Sequence, residues 1–104
     1  MLITTTEDIG KKYNVIGLVM GNTVRARHIG RDITAGLRSI KGGEIKGYSE
    51  MLSEAREEAI QRMTTDAKGK GADAIVSVRL TTAQTMQGAA EVLAYGTAVK
   101  TGKK

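Results

Sequence analysis

Apolar residues recur at Tyr48, Met51, Leu52, Ala55, Ala59, Ile60 and Met63, with Ala67 one turn on. That spacing is the 3.6-residue stripe of an amphipathic helix. From Tyr48 to Lys68 there is no Gly and no Pro, and most of the residues are good helix formers. Ser49 reads as the N-cap, with Glu50 near the positive end of the helix dipole. Gly69 or Gly71 supplies the left-handed residue that closes the other end. Glu58 with Arg62 and Asp66 with Lys70 stand four apart in the favourable order, each pair worth about 0.2–0.5 kcal/mol.

Two other stretches alternate as strands do. Tyr13–Arg27 has Ile16, Leu18, Met20, Val24 and Ala26 on one face, broken only by Asn22. Its other face carries Val15, Gly17, Val19, Gly21 and Thr23. After the helix, Ala74, Val76, Val78 and Leu80 fall on one side, and Ile75, Ser77 and Arg79 on the other. The first of these sides is expected to pack on the helix. Glu91–Lys100 is a third strand, apolar on both sides, so both should be covered. Met1–Thr6 has the makings of a short strand. Gly30–Ile40 reads as a short helix, ended by Gly42-Gly43 and separated by Gly47 from the long one. Polar Thr81–Ala90, with Gly88, is a hairpin connection or a pair of fraying strand ends.

The order strand, short helix, long helix, strand, strand predicts an α+β fold. A helical crossover makes the first two long strands parallel, and the third fits antiparallel between them, in the order 1-3-2. One helical layer covers one sheet face. The other, expected to carry Gly17, Val19, Gly21 and Ile75 with Leu93 or Tyr95, needs a partner.

Composition sharpens that need. The 104 residues make one domain, 1–104, with a basic tail at 100–104, and contain no Phe, no Trp and three Tyr. A chain of this size buries only about two-thirds of its surface. A core without large aromatics is thin, and association adds buried area. The net charge of +5 permits acidic partners, although Lys100, Lys103 and Lys104 place part of it in the tail. No Cys is present, which excludes disulfides and thiol chemistry. No secretory h-region opens the chain, and no apolar run approaches the roughly 20 residues of a membrane span. A soluble cytoplasmic protein is the expectation.

Particular residues then point to a family. Val24-Arg25-Ala26-Arg27, Ile29-Gly30-Arg31-Asp32, Gly42-Gly43-Glu44, Glu54-Ala55-Arg56, Gly71-Ala72-Asp73-Ala74 and Ala94-Tyr95-Gly96-Thr97-Ala98-Val99 resemble the YbjQ family over nearly the whole chain. That family is also labelled heavy-metal-binding. The resemblance implies a dodecin-like βαββ subunit in a homo-oligomeric ring, a pentamer or a pair of pentamers. It supplies no catalytic residues. His28 stands where the family pattern has Asn, so no role for an imidazole transfers.

Candidate chemistry is sparse. Arg25, Arg27, His28, Arg31 and Arg38 form the densest basic cluster. Arg25, Arg27 and Arg31 could hold a phosphate or carboxylate beside a helix N-terminus. The favoured reading is that these arginines pair with Asp32, Glu44, Glu50 or Glu54, within or between subunits, because charge clusters usually serve structural ion pairs or solvation. One His and no Cys make a poor ligand set for a soft metal, so no metal site and no cofactor are assigned. The glycine stretches lack the Gly-Lys-Ser/Thr ending of a phosphate loop. Three Tyr do not make a stacking platform for nucleic acid, and no signature surrounds the single His. Gly17, Val19, Gly21 and Gly96 are the expected oligomer contacts, because glycine lets a neighbouring backbone come close.

The leading expectation is a homo-oligomeric scaffold or small-ligand binder, its partners being copies of itself and a small anionic ligand, with no membrane and no specific nucleic acid. The alternatives are a metal-handling or enzymatic site formed between subunits, and weak polyanion binding.

Overall fold

The structure is a computed structural model, and residues 1–26 and 42–102 are described, with the side chains of 42–46 excepted. The expected short helix at 30–40 lies outside them.

Five elements follow in order. They are β1 (Leu2–Ile3), β2 (Tyr13–Ala26), α1 (Gly42–Gly69), β3 (Ala74–Met86) and β4 (Ala89–Thr101). The sheet has four strands in the order β1-β3-β4-β2, not three. Its three long strands keep the predicted order, with β4 antiparallel to both neighbours. The addition is β1, which pairs parallel with the start of β3 through Leu2↔Ala74 and Ile3↔Ile75.

Helix α1 is longer than its apolar stripe suggested. Its 28 residues begin at Gly42 and run through Gly43 and Gly47, so Gly47 separates nothing, and Ser49 lies inside rather than at a cap. At about 1.5 Å per residue it is roughly 42 Å long. Its C-terminus closes as a Schellman motif. Ala72 N–H donates to Ala67 O at 3.1 Å and Gly71 N–H to Lys68 O at 3.1 Å, with Gly71 at φ 85°. Both predicted i,i+4 pairs form, Arg62 to Glu58 at 2.7 Å and Lys70 to Asp66 at 3.1 Å.

The core lies between α1 and β2–β4. Ala55, Ala59, Met63 and Ala67 are wholly buried against Val19, Ile75, Val92, Ala94 and Ala98. The stripe is mostly alanine, so helix and sheet approach closely. Gly21 makes the approach possible. A Cβ there would strike the backbone N of Met63 and stand 2.5 Å from Ala59 O.

The expected sides are therefore reversed in β2 and in the first part of β3. In β2 the residues under the helix are Val19, Gly21, Thr23 and Arg25. Leu18, Met20 and Val24 turn away from it, 59, 46 and 59% exposed. The helix selects the face with room for it, not the more apolar one. In β3 a bulge between Val76 and Arg79 shifts the alternation, with Ser77 in the left-handed region at φ 55°. Ile75 and Val78 both reach the core beneath the helix. Ala74 and Val76 instead join Val99 in a small cluster under Ile9 and Tyr13.

Of the two readings of Thr81–Ala90, the hairpin connection is the one that forms, with a register shift between Gln84 and Met86. β3 and β4 run on through Met86↔Ala89 and are joined at Gln87-Gly88, with Gly88 at φ 79°. At the other end β4 continues through Lys100 and Thr101, into what was expected to be tail. The Cα radius of gyration is 17.4 Å, against about 13 Å for a compact chain of this length, and the extents are 60 × 22 × 16 Å. Among the described residues no helix is long and apolar enough to cross a membrane.

Candidate functional site

Two features of the described residues have the character of a site: a polar network where α1 lies on β2, and the open face of the sheet.

The network is built by geometry local to each element. Thr23 and Arg25, two apart on β2, point the same way, toward α1. Glu54, Glu58 and Arg62, four apart, share one flank of the helix. Glu58 Oε1 accepts from Thr23 Oγ1 at 2.9 Å, from Arg25 Nε at 3.2 Å and from Arg25 Nη2 at 2.9 Å. Arg25 Nη1 donates to Glu54 Oε1 at 3.0 Å. Arg62 ties the other Glu58 oxygen, at 2.7 Å, to the β2 backbone through Asn22 O, also at 2.7 Å. The guanidinium of Arg25, then the Thr23 hydroxyl, hold the Glu58 carboxyl below its ordinary range, and Glu58 in turn raises Arg25. An open cleft of about 320 Å³ runs along this flank, lined by Arg25, Glu54, Glu57, Glu58 and Gln61.

The expected anion site is thus placed as follows. Arg25 is bonded by two carboxylates, one of them the anticipated Glu54, and the cleft beside it is lined by three glutamates. Arg27 and Arg31, with His28, lie outside the described residues. Glu58 was missed as a partner because its spacing pointed to Arg62, and only the crossing of helix over strand brings it to Arg25.

The expected interface glycines are also accounted for. Val19 and Gly21 are taken up by the chain's own helix. A Cβ on Gly96 would meet Ile75 Cγ2 at 2.9 Å and Val76 O at 3.0 Å, so the backbone it admits is that of bulged β3. Only Gly17, beside the Val15/Gly17 register shift, has nothing within 4 Å of where its Cβ would stand.

The open face is the second feature. Cross-strand pairs place Met20 beside Tyr95 and Val24 beside Glu91, with Leu18 opposite Thr97 and Asn22 opposite Leu93. Asn22 Nδ2 donates to Glu91 Oε2 at 3.2 Å, the one side-chain hydrogen bond on this part of the face among the described residues. Ile9 and Tyr13 cover its Val76–Val99 end, while Leu18, Met20, Val24 and Tyr95 stay in solvent.

A family model described as "Putative heavy-metal-binding" matches residues 1–102. The chain belongs to the YbjQ family. A UPF0145 protein of Archaeoglobus fulgidus is 59% identical over 102 residues, covering 96% of this chain and 94% of that one. A UPF0145 protein of Photobacterium profundum is 56% identical, covering 96% and 98%. The crystal structure of a protein of unknown function of the DUF74 family from Pediococcus pentosaceus superposes with a TM-score of 0.67 over 98% of each chain, at 20% identity. At that identity it shows the fold alone.

Among the described residues the donor set does not fit a soft heavy metal of the kind in the family's description. No Cys exists in the chain, and its single His is residue 28. Among the described residues no three His, Cys, Asp or Glu side chains converge on a metal-sized point. Glu58, the most enclosed carboxylate of the cleft, already accepts from Thr23, Arg25 and Arg62. A soft ion prefers thiolate or imidazole, and the cleft offers hard carboxylate oxygens, those of Glu54 and Glu58 bonded by guanidinium.

Proposed function

We propose that this member of the YbjQ family is a homo-oligomeric scaffold or small-ligand-binding protein, assembled through the sheet face opposite α1. One observation carries the reading. The more hydrophobic side of β2 is turned away from the chain's own helix, leaving Leu18, Met20 and Val24 exposed beside Tyr95. A monomer rarely keeps a contiguous apolar stripe of this kind in water. Leu18, Met20 and Val24, each about half exposed, would each gain a part of the about 1.5–3 kcal/mol that full burial of such a side chain is worth. The ring of five, or pair of such rings, implied by the resemblance is the form expected. A small anionic ligand would lie between subunits, because Arg25 within one subunit is engaged by Glu54 and Glu58.

Size exclusion coupled to light scattering tests the assembly. The parent should elute as a multiple of 11.1 kDa. Met20→Glu with Val24→Glu should lower the mass while far-ultraviolet circular dichroism stays unchanged. A folded parent monomer at micromolar concentration would overturn the proposal. Native mass spectrometry of protein purified without chelators would reveal any ligand held between subunits.

A further inference from the structure

We propose that the outer edge of β3, from Leu80 to Gln84, pairs antiparallel with the same edge of a second copy of this chain, about a twofold axis. The proposal rests on the homo-oligomeric reading above but uses a different surface.

The edges of the sheet are not alike. On β2, the outward N–H of Met20 donates to Asp66 Oδ2 at 3.3 Å, and the outward carbonyl of Asn22 accepts from Arg62 at 2.7 Å. Helix side chains therefore occupy the middle of that edge. On β3 the first half is covered by the N-terminal segment. Thr4 N–H donates to Ile75 O at 3.0 Å, Ser77 N–H to Thr6 O at 3.1 Å and Val78 N–H to Thr4 O at 3.0 Å. Arg79 adds a bond to Thr5 O at 3.1 Å. Past Arg79 the cover stops, and every residue from Leu80 to Met86 is exposed.

The register shows which groups are left. Met20 N–H points away from β4, so Met20↔Tyr95 is a non-hydrogen-bonded pair. Tyr95 then turns its N–H and C=O toward β3, which makes Arg79↔Tyr95 a hydrogen-bonded pair. Alternation makes the outward groups those of Leu80, Thr82 and Gln84. Among the described residues no backbone or side-chain group bonds them.

Edges left open in this way are usually blunted by lysine, proline or a bulge. Leu80-Thr81-Thr82-Ala83-Gln84 has no charge, no proline and no glycine. It is rich in threonine, which suits a strand. Like-to-like antiparallel pairing opposes no charges and sets Leu80 across from Gln84 of the copy when Thr82 lies on the axis. Head-to-tail pairing would need the β2 edge of the neighbour, whose middle is occupied by Asp66 and Arg62. The isologous solution is the one both edges permit.

Two measurements test this. Proline at an outward N–H position leaves the β3–β4 ladder intact and removes only the donor offered to a partner. Thr82→Pro should therefore lower the assembled mass seen by light scattering. The chain has no cysteine, so Thr82→Cys introduces a single thiol, and a short bis-maleimide should link it into a covalent dimer and no higher species. Ser53→Cys, exposed on the helix, should give none. A Thr82→Cys protein that links no better than Ser53→Cys overturns the edge pairing even if Thr82→Pro fails to fold. If Met20→Glu with Val24→Glu dissociates the parent while Thr82→Pro leaves its mass unchanged, the edge pairing alone is overturned. If Thr82→Pro reduces the mass while the face variant leaves it intact, the edge stands and the face reading falls.

Discussion

Glu58 Oε1 stands 2.9 Å from Arg25 Nη2, and this contact pins α1 to the strand beneath it. The carboxyl is held below its ordinary value of 4.5, first by Arg25 and then by Thr23. A carboxyl lowered on folding stabilises the folded state fully above its unfolded pKa, and loses that contribution as pH falls through the folded one. The contribution of Glu58 is therefore complete above about pH 4.5 and disappears in stronger acid. Asp66 and Asp73 are lowered too, by Lys70 and by Thr101 respectively, and reinforce the trend. The thermal midpoint should fall steeply on acidification. Glu58→Gln should lower it at neutral pH and make the acid fall shallower. Parallel pH curves for the two proteins would show that the pair does not couple folding to pH.

Gly21 is predicted to be the least replaceable glycine of the sheet. The atoms in the way of a Cβ, Met63 N and Ala59 O, belong to the helix backbone and cannot rotate aside. Gly21→Val should cost about 1–3 kcal/mol in denaturant unfolding, as overpacking does. The loss should appear in the subunit's own stability. A variant that unfolds like the parent but assembles differently would return Gly21 to the interface.

Ser77 offers the opposite experiment. A non-glycine residue in the left-handed region is strained by about 1–2 kcal/mol. Ser77→Gly should leave the urea midpoint unchanged or raise it, because relief of strain offsets the greater freedom of the unfolded chain. Ser77→Val should lower it. The reverse order would mean that the bulge is not what places Val78 in the core.

Metal analysis after exposure to zinc, copper and cadmium should find well under one ion per subunit. The motive is the absence of thiolates and the engagement of Glu54 and Glu58 by Arg25 and Arg62. A stoichiometric, chelator-resistant ion lost in His28→Ala would sink this expectation.

The sequence by itself determined what depends on near neighbours. The helix over Tyr48–Lys68, its glycine closure at Gly71, the Glu58–Arg62 and Asp66–Lys70 pairs and the three long strands all follow from spacing within one or two turns. The order of those strands followed from the sequence of elements, since a helical crossover permits few others. Tertiary structure alone decided which side of each strand is inside. Alternation marks two faces of β2 but does not say which receives the helix. Hydrophobicity favoured the face of Leu18 and Met20, whereas the alanine stripe of α1 needed the close approach that Gly21 allows. The bulge at Ser77 was equally invisible, because nothing in a serine announces a positive φ. Pairing of Arg25 with Glu54 was among the sequence's alternatives, but Glu58 came into view only when the crossing of α1 over β2 brought it there. Contacts between residues about thirty apart are set by the packing of whole elements, and a local pattern carries no record of them.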